Sequence, residues 1–232
     1  MEDWVTLEEA EKNAKSEKEK RKVFRTILKK TEKASIAELD ETLNSTNSKL
    51  IEKQIKLELW WRSFSKDPEK LLEFIETATD KDKISRAIIE LGEIKHRNAT
   101  NTIIKFLDDM DLRDSAALAL REMPTQEAFK PLIQSIKKNP DGSECLLYAL
   151  ELLDCSDAAE LLVDLFILKP NAPVVRYDIY VCFSEGAVKR IPKEVKEVCC
   201  SKLLGATEEP RSPNDTKELK QLYDLVNQIE EV

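Results

Sequence analysis

Apolar positions recur at helical spacing through the middle of the chain, and the recurrence is written more than once. The stretch Leu112 to Met123 places Ala119, Leu120 and Met123 on one face. After a break at Pro124, a second run carries Ala128, Leu132, Ile133 and Ile136. Thirty residues on, the same columns return as Ala149, Leu150 and Leu153, followed by Ala158, Leu162, Val163 and Phe166. Twenty-nine residues earlier stand Leu91, Ile94, Ala99, Ile103, Ile104 and Leu107, and one step forward come Tyr180 and Phe183. A single helix pair cannot bury its own apolar face, so a fixed period of this size predicts antiparallel helical hairpins stacked on copies of themselves.

A polar column keeps the same register. Asp82, Asp111, Asp141 and Asn171 each stand nine residues before the Leu or Tyr column. They are expected to be N-caps, accepting from the unpaired N–H groups of a first helical turn.

The block from Leu112 to Ile136 resembles a HEAT-type repeat of the short variety, over about residues 82 to 183. It departs from the longer HEAT and armadillo periods of about 40–47 residues. The position often held by an inter-helix Asp in such repeats is here Lys95, Pro124 and Asp154. The resemblance implies an all-α fold, a right-handed α-solenoid of stacked antiparallel helical hairpins with irregular capping helices at both ends. It also implies a scaffold that holds other macromolecules, while leaving the partner open.

The flanks supply the caps. Thr6-x-x-Glu9 opens a long basic helix from Leu7 to about Lys33, and Ser35-x-x-Glu38 opens a short one to Leu43. A helix from Lys49 to Phe64 is apolar over much of its circumference, and Asp67-Pro68 begins the next. Beyond Phe183 a lengthened loop leads to a helix over Lys193 to Leu204, stopped by Gly205. The stretch from Glu208 to Asn214 is read as a linker, and Asp215 to Glu230 as an amphipathic cap. The expected division is residues 1–48 as a basic arm, 49–205 as the solenoid, and 206–232 as linker and cap.

Composition narrows the function. Only four glycines and nine prolines in 232 residues favour helix throughout, and a net charge of −8 opposes a general nucleic-acid binder. No apolar run approaches the roughly 18 residues of a membrane span, and the first thirty residues lack a signal-type apolar core, so a soluble cytoplasmic protein is expected. The five cysteines show no zinc spacing and are expected as reduced core residues; the vicinal pair Cys199 and Cys200 is the one redox alternative. No cofactor or metal is expected. His96, the one histidine, lies in the hairpin turn Lys95-His96-Arg97 with no patterned nucleophile or carboxylate to serve.

Alkylpurine DNA glycosylases are also built from HEAT-like pairs and use tryptophans with an Asp one turn on, and Trp60-Trp61 is similar at first sight. Phe64 occupies the position four after Trp60, so the tryptophans are read as packing residues.

The surface left for a partner is the outward row of the second helices. If residues 99, 103, 104 and 107 face the core, Asn101, Lys105 and Asp108 face outward, followed by Lys130, Gln134 and Lys137, then Glu160, Asp164 and Ile167. The expected function is a non-catalytic scaffold that binds another protein through this face, as an adaptor, inhibitor or immunity-type protein. The alternative is nucleic-acid or ribosome binding through the arm residues Lys15, Lys18, Arg21, Lys22, Arg25 and Lys29.

Overall fold

The computed structural model describes residues 3–64, 67–139, 144–168, 173–209 and 211–231. Among them the chain is all-α, with fourteen α-helices and one strand pair of two residues per strand. Its contacts form two units, Met1–Asp67 and Pro68–Val232.

The first unit holds α1 (Trp4–Asn13), α2 (Glu17–Lys33), α3 (Ile36–Ser45) and α4 (Lys49–Ser63). The single basic helix read from the sequence is two helices, because Ser16 and Glu19 form a capping box that starts α2 afresh. Thr6 does not cap α1; it donates its N–H to Asp3, the true N-cap, at 2.7 Å. Ser35 and Ser48 cap α3 and α4. Leu7, Ile27, Ala34, Leu39, Ile51 and Ile55 make one core, with Trp4, Val23, Leu43, Leu50 and Leu59 packed on it. Carbonyls at the end of α2, which have no partner within the helix, are collected by Arg62. It donates to Ala34 O at 2.7 Å, Glu32 O at 2.9 Å and Thr31 O at 3.1 Å.

The second unit alternates two rows of helices. One row comprises α6 (Lys81–Glu93), α8 (Arg113–Glu122), α10 (Glu144–Leu150), α12 (Pro173–Ser184) and α14 (Pro213–Gln228), each packed on the next. The other comprises α5 (Pro68–Thr77), α7 (Thr100–Lys105), α9 (Phe129–Lys138), α11 (Ala159–Leu168) and α13 (Lys193–Glu208). The apolar columns are the reason: Leu91, Leu120 and Leu150 are buried, as are Ala99, Ala128 and Ala158, and Ile103, Leu132 and Leu162. Ile94 leaves its column and is exposed, because α6 ends there and the chain turns through Lys95 at φ 56°.

Polar contacts also join residues about one period apart. Ser85 and Ser115 share a hydroxyl hydrogen bond of 2.6 Å between α6 and α8. Gln126 binds the backbone of Asp154 through both amide atoms, donating to its carbonyl at 3.1 Å and accepting its N–H at 3.3 Å. Three helices of the second row, α7, α9 and α11, are entered through a 3-10 turn, at Arg97–Ala99, Gln126–Ala128 and Ser156–Ala158.

The polar column is not a row of caps. Asp80, not Asp82, caps α6, accepting from Lys83 N at 3.3 Å. Leu112 precedes α8 without a side-chain cap, and the Asp111 carboxylate instead accepts from Lys81 Nζ at 2.7 Å. Asp141 and Asn171 lie outside the described residues. Gly205 does not end α13, which runs on to Glu208 with open space where a Cβ would stand. The last helix starts at Pro213 under a Ser212 cap, and the residues after it pair in parallel, β1 (Arg190–Ile191) with β2 (Glu230–Glu231).

One buried carboxylate opposes this packing. Asp178 on α12 is 7 % exposed, and burial, together with Glu151 just after α10 and Glu144 at its start, pushes its pKa from 3.8 up to about 6. A raised carboxyl pKa gives stability that is full below the unfolded value and lost as pH rises through about 6. Asp178→Asn is therefore expected to stabilise at pH 7.5 by about 1 kcal/mol, a value discounted for partial solvent screening. Thermal melts of both proteins should show the advantage shrinking at pH 5.

Candidate functional site

The outward row of the second helices does not present one continuous surface. On α7, Ile103 is buried while Asn101 and Lys105 are exposed. On α9, Leu132, Ser135 and Ile136 are buried while Lys130, Gln134 and Lys137 are exposed. Register between the two is fixed by the Ser135 hydroxyl, which donates to Leu107 O at 2.8 Å, and by Lys138, whose ammonium holds the Asp108 carboxylate. Among the described residues no ion pair engages Lys105, Lys130 or Lys137, so three cations of this face point to water.

Further along, the row is occupied by the protein itself. Lys202 of α13 donates to Glu160 at 2.8 Å and to Asp164 at 2.6 Å, and these carboxylates raise the Lys202 pKa through hydrogen bonds, Asp164 first. Ile167 is half-buried, and its carbonyl accepts from Arg211 at 3.5 Å. Asn101, Lys105, Lys130, Gln134 and Lys137 are thus exposed on α7 and α9, whereas Glu160 and Asp164 are tied to α13. Lys202 stands 38 and 42 residues from its partners and so falls outside the sequence period.

In the first unit, Lys15, Lys18, Arg21, Lys22, Arg25 and Lys29 are all exposed. Lys18, Arg21, Lys22, Arg25 and Lys29 lie along one side of α2, lining a shallow trough of about 1030 Å³ that Glu17 and Glu19 enter only at its start. Glu17 is paired with Lys20 at 2.9 Å, and Glu19 is used in the capping box.

The other candidate chemistry is quiet. His96 is half-buried and its Nε2 lies 3.4 Å from Glu69 Oε1, with no nucleophile in this contact. Trp61 is buried, and Trp60 stacks on Phe64 with ring centroids 4.9 Å apart. All five cysteines are free thiols. Burial pushes Cys145 and Cys199 up to about 11 and raises Cys200, which withdraws the thiolate that redox chemistry needs. No group of three or more His, Cys, Asp or Glu among the described residues could hold a metal ion, and no helix is long and apolar enough to cross a membrane.

Sequence reasoning missed one cluster. Arg176 on α12 is 3 % exposed and ion-paired with Asp215, whose other oxygen accepts from Arg211 at 3.2 Å. Burial raises the Asp215 pKa, but hydrogen bonds from Arg176 and Arg211 outweigh it and hold the carboxyl below its ordinary value. The signal was in the columns: Arg176 stands thirty residues after Leu146 and sixty after Ala116, both fully buried.

In comparison with known proteins, residues 68–144 match the family of HEAT repeats, a segment running from α5 through α9. No curated protein matches the chain.

Proposed function

We propose, for a chain that carries HEAT-type repeats over residues 68–144, that it is a non-catalytic scaffold which binds another protein through the outward face of α7 and α9. HEAT repeats commonly mediate protein–protein interaction. The observation that carries the reading is the set of exposed cations Lys105, Lys130 and Lys137, which have no ion pair among the described residues and share α7 and α9 with exposed Asn101 and Gln134, inside the matched segment of an acidic chain. Such a face favours a partner with an acidic surface, since complementary charge speeds encounter and fixes register. An adaptor, inhibitor or immunity-type protein would use it in this way. The free thiols fit the reducing cytoplasm as its place of work.

The test is affinity capture from the native cell with the unmodified protein and with Lys105→Glu, Lys130→Glu and Lys137→Glu combined. The variant is expected to keep its helical circular dichroism and lose the partner, with at least about a tenfold fall in affinity. Unchanged partner recovery would defeat the assignment. Reversal of Glu160 and Asp164 is expected to act on stability instead, through the lost Lys202 pairs.

A second reading has its own observation, the row Lys18, Arg21, Lys22, Arg25 and Lys29 along α2. It fits RNA, with a slope of log affinity against log salt near about −3.5 for five phosphate contacts on a single strand. Absence of RNA retention at low salt removes this reading.

A further inference from the structure

The arginine that replaces an apolar column residue on α12 is only partly used by the fold. Asp215 engages Nη1 of Arg176, and the guanidinium lies 4.1 Å above the Phe166 ring. Nε and Nη2 are buried and have no hydrogen-bond partner among the described residues. These two N–H groups share one edge of the guanidinium, the side-on fork whose spacing matches the two oxygens of a carboxylate. Glu218 Oε2 lies 3.3 Å from Nε, near enough for attraction but without a hydrogen bond. Buried charged donors are rarely left unpaired, because each has given up its hydration for nothing.

Beside this edge is a cleft of about 420 Å³ lined by Phe166, Arg176, Tyr177, Tyr180, Glu218 and Gln221. That volume is within the range of small-molecule sites, and half of its lining residues are aromatic. The tyrosines depart from their columns in the same direction. Tyr177 is 66 % exposed where its counterpart Leu147 is fully buried, and Tyr180 is half-buried where Leu150 is fully buried. Three deviations from the repeat, Arg176, Tyr177 and Tyr180, therefore converge on one cavity formed by α11, α12 and α14.

We propose that this cleft binds a carboxylate borne on an aromatic or apolar body, the carboxylate taking the Nε and Nη2 edge of Arg176 and the body lying against Tyr177 and Tyr180. The incoming group takes the place of the Glu218 carboxylate, whose side chain is 39 % exposed and swings into water. A monoanion fits better than a phosphate dianion, because Asp215 already balances the arginine. The acid has two possible sources, the carboxylate of a protein segment or a free small acid. The site is independent of the lysine face on α7 and α9.

Calorimetric titration of the full chain tests the proposal with phenylacetate, phenylacetamide, the peptide Gly-Gly-Phe and its C-terminal amide. Either acid should bind while its amide does not, and the preferred acid names the source, a chain end or a small molecule. Glu218→Gln should tighten binding several-fold, since it removes the competing carboxylate and leaves Arg176 in place. Tyr180→Ala should weaken it about tenfold, the scale of a lost aromatic contact. Arg176→Lys should abolish it if the protein folds. Equal binding of acid and amide, no binding of either acid, or an affinity unmoved by Glu218→Gln would each overturn the proposal.

Discussion

Gly92→Val is expected to destabilise the protein by about 3 kcal/mol, near the upper end of overpacking penalties. A Cβ at Gly92 would stand 2.6 Å from the Ala119 Cα and 2.9 Å from its Cβ, so α6 and α8 touch backbone to backbone at this point. The atom in the way belongs to the main chain of a packed helix and cannot rotate aside. Gly92→Ala should also destabilise, by less, because the helix-propensity gain of about 1 kcal/mol runs against the clash. Gly205→Ala is the internal control: it lies within α13 with nothing inside 4 Å of its added methyl, and should stabilise by about 0.5–1 kcal/mol. Urea unfolding of the three variants checks the set, with the midpoint moving and the slope unchanged. A tolerant Gly92→Val would mean that the two helices are not held at this separation.

Asp215→Ala is expected to cost about 3–5 kcal/mol, the scale of a buried charge whose partner has been removed. Arg176 would keep only its off-line contact with Glu218 and its place over the Phe166 ring, and Arg211 would lose a hydrogen bond at the same time. Replacing both charges, Arg176→Met with Asp215→Leu, should restore most of the loss, since desolvating the pair consumes much of its attraction. Equilibrium unfolding near pH 7 checks both. Acid should mimic the single variant: with its folded pKa depressed, Asp215 supports the fold above its unfolded value of 3.8 and stops doing so as pH falls below it.

The repeat was legible because burial leaves a periodic trace. Leu91, Leu120 and Leu150 occupy like, buried surroundings, and so do the alanines at 99, 128 and 158. What misled was chemistry that depends on the exact start of a helix. Asp82 and Asp111 share a period, yet the first sits inside α6 behind the real cap, Asp80, and the second precedes α8 and is spent on Lys81. A side chain caps only from the residue that flanks the first turn, and a displacement of one or two positions removes the function. Gly205 misled for a related reason: a glycine can end a helix, but here packing of α13 against α11 and α14 carries the helix past it.

The candidate face was half legible. Periodicity gives which residues point outward from a helix, and Asn101, Lys105, Lys130, Gln134 and Lys137 do so. It does not give what a later helix lays across them, which is why Glu160 and Asp164 were read as open. Arg176 was visible in its column as an arginine among alanines and leucines, but its partner Asp215, which also accepts from Arg211, lies 39 residues on, outside the repeat.

The Lys202 tie means that the molecule carries two opposite electrostatic identities, only one of them on display. In a stack whose members touch only their neighbours, the terminal pair of helices is the part that can peel away without dissolving the rest. A protease cut at Glu185 or Gly186 followed by release of α13 and α14 would bare Glu160 and Asp164, and a chain proposed to receive acidic visitors on α7 and α9 would acquire a patch that welcomes basic ones.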